Sequence, residues 1–251
     1  MMARTTALVL CLLGAAAAVP GRATPPPPKP PCVPAGAGVT TAALAARLAG
    51  HGTGGNDRLQ ECAADDLVGR GAAAAPAVAG LLGSSDLSTR ELAVEVLTRL
   101  GPQAGAALPA LMDQIRRPPD RLGMGHGNLY DAVAALGPAA RPAIPLLIAQ
   151  SRDLEYRYDA LRALGKLGRY DPGRVVPYLV SVLERRPEEH DVKAALGALA
   201  EIGKPARAAL PAIRAEIERA KAGRGPYGAK ALDALAAIGG AGDSANAQRV
   251  K

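Results

Sequence analysis

The sequence predicts an all-α protein, an α-solenoid in which about five helical hairpins and a terminal helix stack into a right-handed superhelix. Hydrophobic residues make up 49% of the 251 residues, which is enough to bury a core. Alanine dominates them, while Trp and Phe are absent, so the helices can approach one another through many thin interfaces. The other two observations are an internal repeat and an apolar stripe that recurs within it.

The internal repeat has a period of about 34 residues. One series of prolines heads short apolar runs, and one series of glycines closes the segments before them. The prolines are Pro76, Pro109, Pro145, Pro177 and Pro211, and the glycines are Gly101, Gly137, Gly168, Gly203 and Gly239. Two interleaved series with one period indicate a repeat architecture.

An apolar stripe precedes each glycine of the series. Counting back one, four, five and eight residues follows one face of an α-helix. Before Gly101 these positions hold Leu100, Leu97, Val96 and Ala93, and all twenty such positions in the five segments are apolar. We therefore predict a helix that ends near each glycine, followed by a shorter helix that begins near each proline. Such a hairpin buries its stripe only by stacking against the next one.

The first 23 residues are typical of a secretory signal peptide. Arg4 provides a basic start, an apolar run extends over 7–18, and small residues follow, with cleavage expected after Ala18 or Ala23. A buried N-terminal helix is the alternative. The signal peptide predicts a periplasmic or secreted protein, and we expect no membrane span after its removal.

The sequence contains three cysteines, for which we make different predictions. Cys11 would leave with the signal peptide, and Leu10 stands where a lipid-anchored cysteine needs a small residue, which argues against lipidation. Cys32 and Cys62 could form one disulfide in an oxidising compartment, and the sequence leaves open whether they do. There is no C-x-x-C motif and the three histidines are scattered, so no metal site is predicted.

The rest of the chain divides into four predicted segments. Residues 24–39 are proline-rich and read as an extended spacer, with a docking peptide for a proline-recognising domain as the alternative. A short helix and a Gly-rich loop follow at 40–56, the repeats cover 57–239, and 240–251 are predicted to be a disordered tail. The predicted units are 57–84, 85–118, 119–152, 153–187 and 188–223, with a closing helix at 226–239.

The repeat resembles a known family. The run Asp153-Leu154-Glu155-Tyr156-Arg157 through Ala163-Leu164-Gly165-Lys166-Leu167-Gly168 is similar to bacterial HEAT-like repeats of the phycobilisome-lyase type. Asp86 and Arg90 occupy the same columns as Asp153 and Arg157. The resemblance implies that these aspartates cap helices and that the arginines pair along the stack. This arginine ladder is incomplete, because the other units hold His126, Val192 and Gly228 in that column.

The catalytic patterns of this family are missing from the sequence. The family includes deoxyhypusine hydroxylases, and the resemblance would imply iron sites built from His-Glu pairs on several repeats. In this sequence His51, His126 and His190 are not followed by Glu. The related DNA glycosylases hold a damaged base with Trp and acidic residues, and this sequence has no Trp. The phycobilin lyases share the repeat, but no further motif in this sequence supports that activity. The sequence therefore predicts no enzyme, no cofactor and no catalytic residue. The alternative is a lyase-type or other enzyme-associated subunit of the cell envelope.

Protein binding is the predicted function, as a non-catalytic scaffold or adaptor of the bacterial cell envelope. The formal net charge is +7, of which Arg4 and Arg22 belong to the signal peptide, and this modest excess predicts solvated faces rather than nucleic-acid binding. Tyr and Arg often anchor interfaces, and we expect them to recognise an acidic or extended protein segment; ordinary solvated side chains are the alternative. The candidates are Tyr156, Tyr158, Arg116, Arg117, Arg152, Arg185, Arg186 and Arg219.

Overall fold

The computed structural model describes residues 32–33, 36, 38–50, 57–117, 126–186 and 189–239. Within these ranges the chain forms twelve α-helices, four 3-10 helices and no strand. The predicted signal peptide, most of the proline-rich spacer, the Gly-rich loop at 51–56 and the predicted tail lie outside the described residues. The α-helices are α1 Thr41–Ala49, α2 Asp57–Gly69, α3 Ala75–Leu81, α4 Leu87–Leu100, α5 Leu108–Arg116, α6 His126–Ala135, α7 Ile144–Gln150, α8 Arg157–Gly168, α9 Pro172–Arg185, α10 Glu189–Ile202, α11 Leu210–Lys221 and α12 Gly228–Gly239.

The helices form five stacked hairpins and a closing helix, which confirms the predicted fold class. The first helices of the hairpins, α2, α4, α6, α8 and α10, each pack against the first helix of the next hairpin, and α12 continues this row. The second helices, α3, α5, α7, α9 and α11, each pack against the first helix that follows them in the chain. Each hairpin therefore shares its core with its neighbours, as stacking repeats require.

The predicted apolar stripes form this core. All twenty stripe positions are buried, and none has an exposed fraction above 7%. Alanine fills many of them, as at Ala132, Ala160 and Ala198, so the helix axes can lie close together. One close approach is at Gly165 of α8, where an added Cβ would lie 2.8 Å from Cα of Ala198 in α10.

A left-handed glycine starts most of the connections between paired helices. Gly101, Gly137 and Gly203 have φ of 56°, 59° and 69°, values that glycine adopts at little cost. The chain then makes one 3-10 helix before the second α-helix, over Gly101–Ala107, Gly137–Ala143 and Lys204–Ala209. A proline is the second residue of each of those α-helices, as expected for a position whose N–H has no helical partner.

The fourth hairpin differs from this pattern. The α-helix α8 includes Gly168 as its last residue, no 3-10 helix follows, and α9 begins at Pro172 and runs for 14 residues. Pro177 therefore lies inside α9, which corrects the expectation that it marks a helix start. The reason is local, because Pro172 follows Asp171 at a position where the fixed φ of proline favours an earlier helix start. Gly239 is likewise the last residue of α12 rather than a residue beyond it.

The two aspartates predicted to cap helices behave differently. The Asp86 carboxylate accepts a hydrogen bond of 2.6 Å from the Thr89 backbone N–H and caps α4. Asp153 does not cap α8, because the chain makes turns over 151–156 and the helix starts only at Arg157. The Asp153 carboxylate accepts instead from the Glu155 backbone N–H, at 3.1 Å.

A disulfide joins the N-terminal segment to the first hairpin. Cys32, ahead of α1, is bonded to Cys62 in α2, with 5.2 Å between the two Cα atoms. The bond encloses α1, which Thr40 caps by accepting from the Ala43 backbone N–H at 3.1 Å. Because α1 packs against α2, α3 and α4, it covers the first end of the stack.

Candidate functional site

A pocket of about 240 Å³ lies where the end of α7, the start of α8 and the face of α9 meet. Three of its seven lining residues are arginines, and none of the seven carries a carboxylate. The lining residues are Ser151, Arg152, Arg157, Leu161, Tyr178, Val182 and Arg185. The pocket therefore presents positive charge at the junction of the third and fourth hairpins.

Helical spacing brings the α9 side chains to one wall of the pocket. Tyr178, Val182 and Arg185 are four and three residues apart, so they follow one face of the helix. Val182 and Leu161 of α8 are both buried lining residues, and they give the pocket its apolar part. The polar ends of Tyr178 and Arg185 stand on either side of Val182 along the helix.

Arg157 forms the inner cationic wall and is held by three acceptors. Its Nη1 donates to the Asp191 carboxylate of α10 at 2.6 Å, and its Nε and Nη2 donate to the Ser151 and Arg152 carbonyls at 3.2 Å each. The side chains of Arg157 and Asp191 are 13% and 7% exposed, so this ion pair is largely desolvated. Arg90 makes the equivalent contact with the carbonyl six residues before it, that of Ser84, at 2.8 Å.

The hydroxyl groups of Ser151 and Tyr178 are bonded to each other, at 2.6 Å. Ser151 Oγ also donates to the Ile148 carbonyl at 2.9 Å. Because a serine hydroxyl has one proton, Tyr178 must be the donor to Ser151 in this arrangement. The Tyr178 ring is thus fixed as a wall of the pocket, with its proton directed at Ser151.

Arg152 and Arg185 form the outer cationic wall. Both are exposed, and neither makes an ion pair with any residue in the described ranges. The Arg185 Nε and Nη2 donate to the Ser181 carbonyl and hydroxyl at 3.1 Å each, which orients the guanidinium along α9. These two residues, predicted as partner-binding from the sequence, are the ones that the structure brings together in the pocket.

The other four predicted partner-binding arginines do not line the pocket, and three of them have carboxylate partners. Arg186 Nη1 donates to both Glu216 carboxylate oxygens, at 2.7 and 2.6 Å, and Arg219 Nη1 donates to the same carboxylate at 2.5 Å. Glu216 is only 4% exposed, so these two arginines neutralise a buried charge. On the exposed surface Arg116 pairs with Asp113 at 2.9 Å, while Arg117 is exposed just after α5.

The two candidate tyrosines, Tyr156 and Tyr158, differ in burial. Tyr156 is 9% exposed and its ring stacks on that of buried Tyr130, with centroids 6.4 Å apart, whereas Tyr158 is 60% exposed. Burial raises the pKa of Tyr130 above its ordinary range, and the neighbouring Tyr156 raises it further. Burial also raises the pKa of Tyr156, together with its contact with Glu155. Tyr156 is therefore a core residue, and Tyr158 is the one available to a partner.

Five of the seven lining residues were not predicted as binding residues from the sequence, and the polar ones among them are Ser151, Arg157 and Tyr178. Arg157 was visible as a member of the arginine column, and Tyr178 precedes Arg185 by seven residues, which is two turns of one helix. Ser151 had no sequence signal, because its role depends on the contact with Tyr178. Among the described residues, no group of three or more His, Cys, Asp or Glu side chains could hold a metal ion. None of the described helices has the length and hydropathy that crossing a membrane requires.

Neither a protein-family model nor a curated protein matches the chain. Among solved structures, it is similar to the complex of CpcE and CpcF of phycocyanin lyase from Nostoc sp. PCC7120, with 24% identity, a TM-score of 0.42, and coverage of 84% of this chain and 80% of that chain. It is also similar to an engineered protein, with 20% identity, a TM-score of 0.41, and coverage of 84% and 94%.

The prediction that the chain is not an enzyme is wrong by this comparison, because one of the similar structures is that of a lyase. At a TM-score of 0.42 the likeness assigns no reaction to this chain.

Proposed function

We propose that the chain is a protein-binding α-solenoid of the bacterial cell envelope, which recognises an acidic, extended segment of a protein partner at the junction of its third and fourth hairpins. The periplasmic or secreted location rests on the predicted signal peptide at residues 1–23. Fractionation of cells that produce the full chain tests this location, and recovery in the cytoplasm alone would contradict it.

The observation that carries the proposal is which arginines form ion pairs with carboxylates and which do not. Arg186 and Arg219 neutralise Glu216, and Arg157 is paired with Asp191. Arg152 and Arg185 have no such carboxylate among the described residues, although both line a pocket. Two uncompensated guanidinium groups at one concave site favour a partner that supplies negative charge.

Exposed apolar side chains close in sequence to the lining residues support a peptide partner. Leu154 and Tyr158 are 72% and 60% exposed, and both lie in or next to the segment that joins α7 to α8. Leu154 is two residues from Arg152, so their Cα atoms are within about 7 Å. Apolar and aromatic anchors next to Arg are the usual composition of energetically dominant interface residues.

Site-specific photo-crosslinking in the native cells tests the function. With p-benzoylphenylalanine in place of Leu154, we expect one protein to be captured, and Arg152→Glu/Arg185→Glu should abolish its capture. The matched control is Arg141→Glu/Arg207→Glu, which reverses two exposed arginines in 3-10 helices of the third and fifth hairpins. The photoprobe at exposed Asp233 of α12 should not capture the same protein.

Two outcomes would contradict the proposal. One is capture at position 154 that both charge-reversal variants leave unchanged. The other is equal capture from positions 154 and 233, because it would show contact without a defined surface. Circular dichroism melting of each variant confirms that the solenoid is intact before its capture is compared.

A further inference from the structure

We infer that the pocket at the junction of the third and fourth hairpins is a carboxylate-binding site, in which Arg152, Arg157 and Arg185 hold one carboxylate of a peptide. The inference rests on the proposed function in one respect, since it takes the carboxylate from a protein partner. Its chemistry follows from the donors that line the pocket.

The guanidinium groups retain donors that the fold does not use. An arginine has five N–H donors. Arg157 directs three of them to Asp191, Ser151 and Arg152, and Arg185 directs two to Ser181. The side-chain donors of Arg152 bond to no described residue. Donors therefore remain on all three arginines around one volume of about 240 Å³.

The other polar groups of the pocket do not compete for these donors. Ser151 and Tyr178 are bonded to each other, and the Ser151 proton goes to the Ile148 carbonyl. Since no lining residue carries a carboxylate, the pocket itself contains no anion to neutralise Arg152 and Arg185. A ligand with a planar anionic group fits this set, because guanidinium and carboxylate can form two parallel charge-assisted hydrogen bonds.

The three arginines differ in their exposure to solvent, and we infer different roles for them. Arg157 is 13% exposed and fixed by Asp191, so it presents its remaining donors from a rigid, poorly hydrated wall. Arg152 and Arg185 are exposed lining residues, so their guanidinium groups are accessible to a ligand from solvent. Leu161 and Val182 contribute a buried, apolar part of the lining, and a charge interaction is stronger in such surroundings of low local dielectric.

Two sources of carboxylate share this chemistry, an acidic side chain and the carboxyl terminus of a chain. The exposed Leu154 and Tyr158 favour a peptide in which a large apolar residue lies beside the acidic group. We therefore choose acetyl-Leu-Glu-Leu-amide as the side-chain probe and acetyl-Leu-Leu with a free carboxylate as the terminal probe. Acetyl-Leu-Gln-Leu-amide is the neutral, nearly isosteric control.

The experiment titrates each probe into the purified protein and follows the arginine Nε–Hε resonances by NMR. We expect at least one carboxylate probe to shift the Arg152 and Arg185 resonances, with the neutral probe binding about tenfold or more weakly, because charge-assisted hydrogen bonds are roughly twice as strong as neutral ones. Arg152→Gln/Arg185→Gln should weaken that probe about tenfold, and Arg141→Gln/Arg207→Gln should leave it unchanged. Which probe binds identifies the source.

The result that overturns the inference is equal binding of the neutral and carboxylate probes, or carboxylate binding that Arg152→Gln/Arg185→Gln does not weaken. Binding of inorganic phosphate with no binding of either carboxylate probe also overturns it. Arg157 is left intact, because it supports Asp191 as well as the pocket.

The inference and the proposed function fail separately. Carboxylate binding without any protein captured from position 154 would refute the function and keep the pocket. Capture of a protein that depends on Arg152 and Arg185, with no probe binding in the purified chain, would keep the function and refute the carboxylate site.

Discussion

The Arg157 guanidinium lies 2.6 Å from the Asp191 carboxylate and joins α8 of the fourth hairpin to α10 of the fifth. The same guanidinium holds two carbonyls of the connection that follows α7. One side chain thus connects three successive hairpins and forms the inner wall of the pocket. The stability of the stack and the shape of the site share this residue.

Separating Arg157 from Asp191 is expected to destabilise the fold strongly. Arg157→Ala leaves the 7%-exposed Asp191 without its partner, and we expect the free energy of unfolding to fall by about 3–5 kcal/mol. Urea denaturation measures this change. In the double-mutant cycle with Asp191→Ala, the two losses should not add, and additivity within about 0.5 kcal/mol would contradict the coupling. Arg99→Ala, which breaks the exposed pair with Asp65, should cost less than about 1 kcal/mol.

The close contact of α8 with α10 predicts opposite effects of alanine at two glycines. Gly165→Ala places a Cβ 2.8 Å from Cα of Ala198, and because backbone cannot yield locally, we expect a loss of about 1–3 kcal/mol. The matched control is Gly197→Ala within α10, where the nearest atom lies 3.7 Å away and belongs to flexible Lys230. That variant should gain up to about 1 kcal/mol from helix propensity. Thermal and urea unfolding of both variants check the signs, and a stabilising Gly165→Ala would be contrary to the packing described.

Buried Tyr130 predicts a loss of stability at alkaline pH. Its folded pKa is raised above the ordinary value of 10.0, so above that pH the unfolded chain releases a proton that the folded chain keeps. The contribution of Tyr130 to the free energy of unfolding is fully present below pH 10. Above pH 10 this contribution falls by about 1.4 kcal/mol per pH unit, until the raised pKa is reached. Tyr130→Phe should remove this part of the fall above pH 10, whereas Tyr158→Phe, at an exposed ring, should retain it.

At neutral pH the same Tyr130→Phe variant is expected to keep or increase its stability. The Tyr130 hydroxyl is buried and has no hydrogen-bond partner among the described residues, so its removal relieves a desolvated polar group. A marked loss of stability at pH 7 would indicate a hydrogen bond that the described residues do not supply.

The Cys32–Cys62 bond is expected to stabilise the first end of the stack. It closes a loop with a sequence separation of 30 residues, for which chain entropy gives about 3–4 kcal/mol. Cys32→Ala/Cys62→Ala should lower the urea midpoint, and a reducing agent should do the same to the wild type without affecting the variant. An unchanged midpoint on reduction would mean that α1 is held by packing alone.

The repeat could be predicted from the sequence because it depends on a period. All twenty stripe positions are buried, since the same interface recurs and each copy needs the same apolar face. The fourth hairpin could not be predicted in the same way. Pro177 fits the period, but Pro172 offers an earlier helix start, and this local preference overrode the periodic one.

The site was less predictable because charge pairing is a tertiary property. Arg185 and Arg186 are neighbours in sequence, yet the first lines the pocket and the second neutralises buried Glu216. The left-handed conformation of Arg186, with φ of 49°, turns the chain away from α9 at that point, and no sequence pattern marked it. For Tyr156 and Tyr158, the two-residue spacing predicts that they differ in burial but not which one is buried.

The irregular joint of the fourth hairpin bears on how this array can change length during evolution. Hairpins that share the glycine turn can be duplicated or deleted as whole modules, because each copy brings the same junction with it. The pocket, however, combines the end of α7 from a regular module with the long α9 of the irregular one. A module inserted between them would divide the site, whereas one added elsewhere would leave it whole. The third and fourth hairpins are therefore expected to be inherited as a single indivisible block.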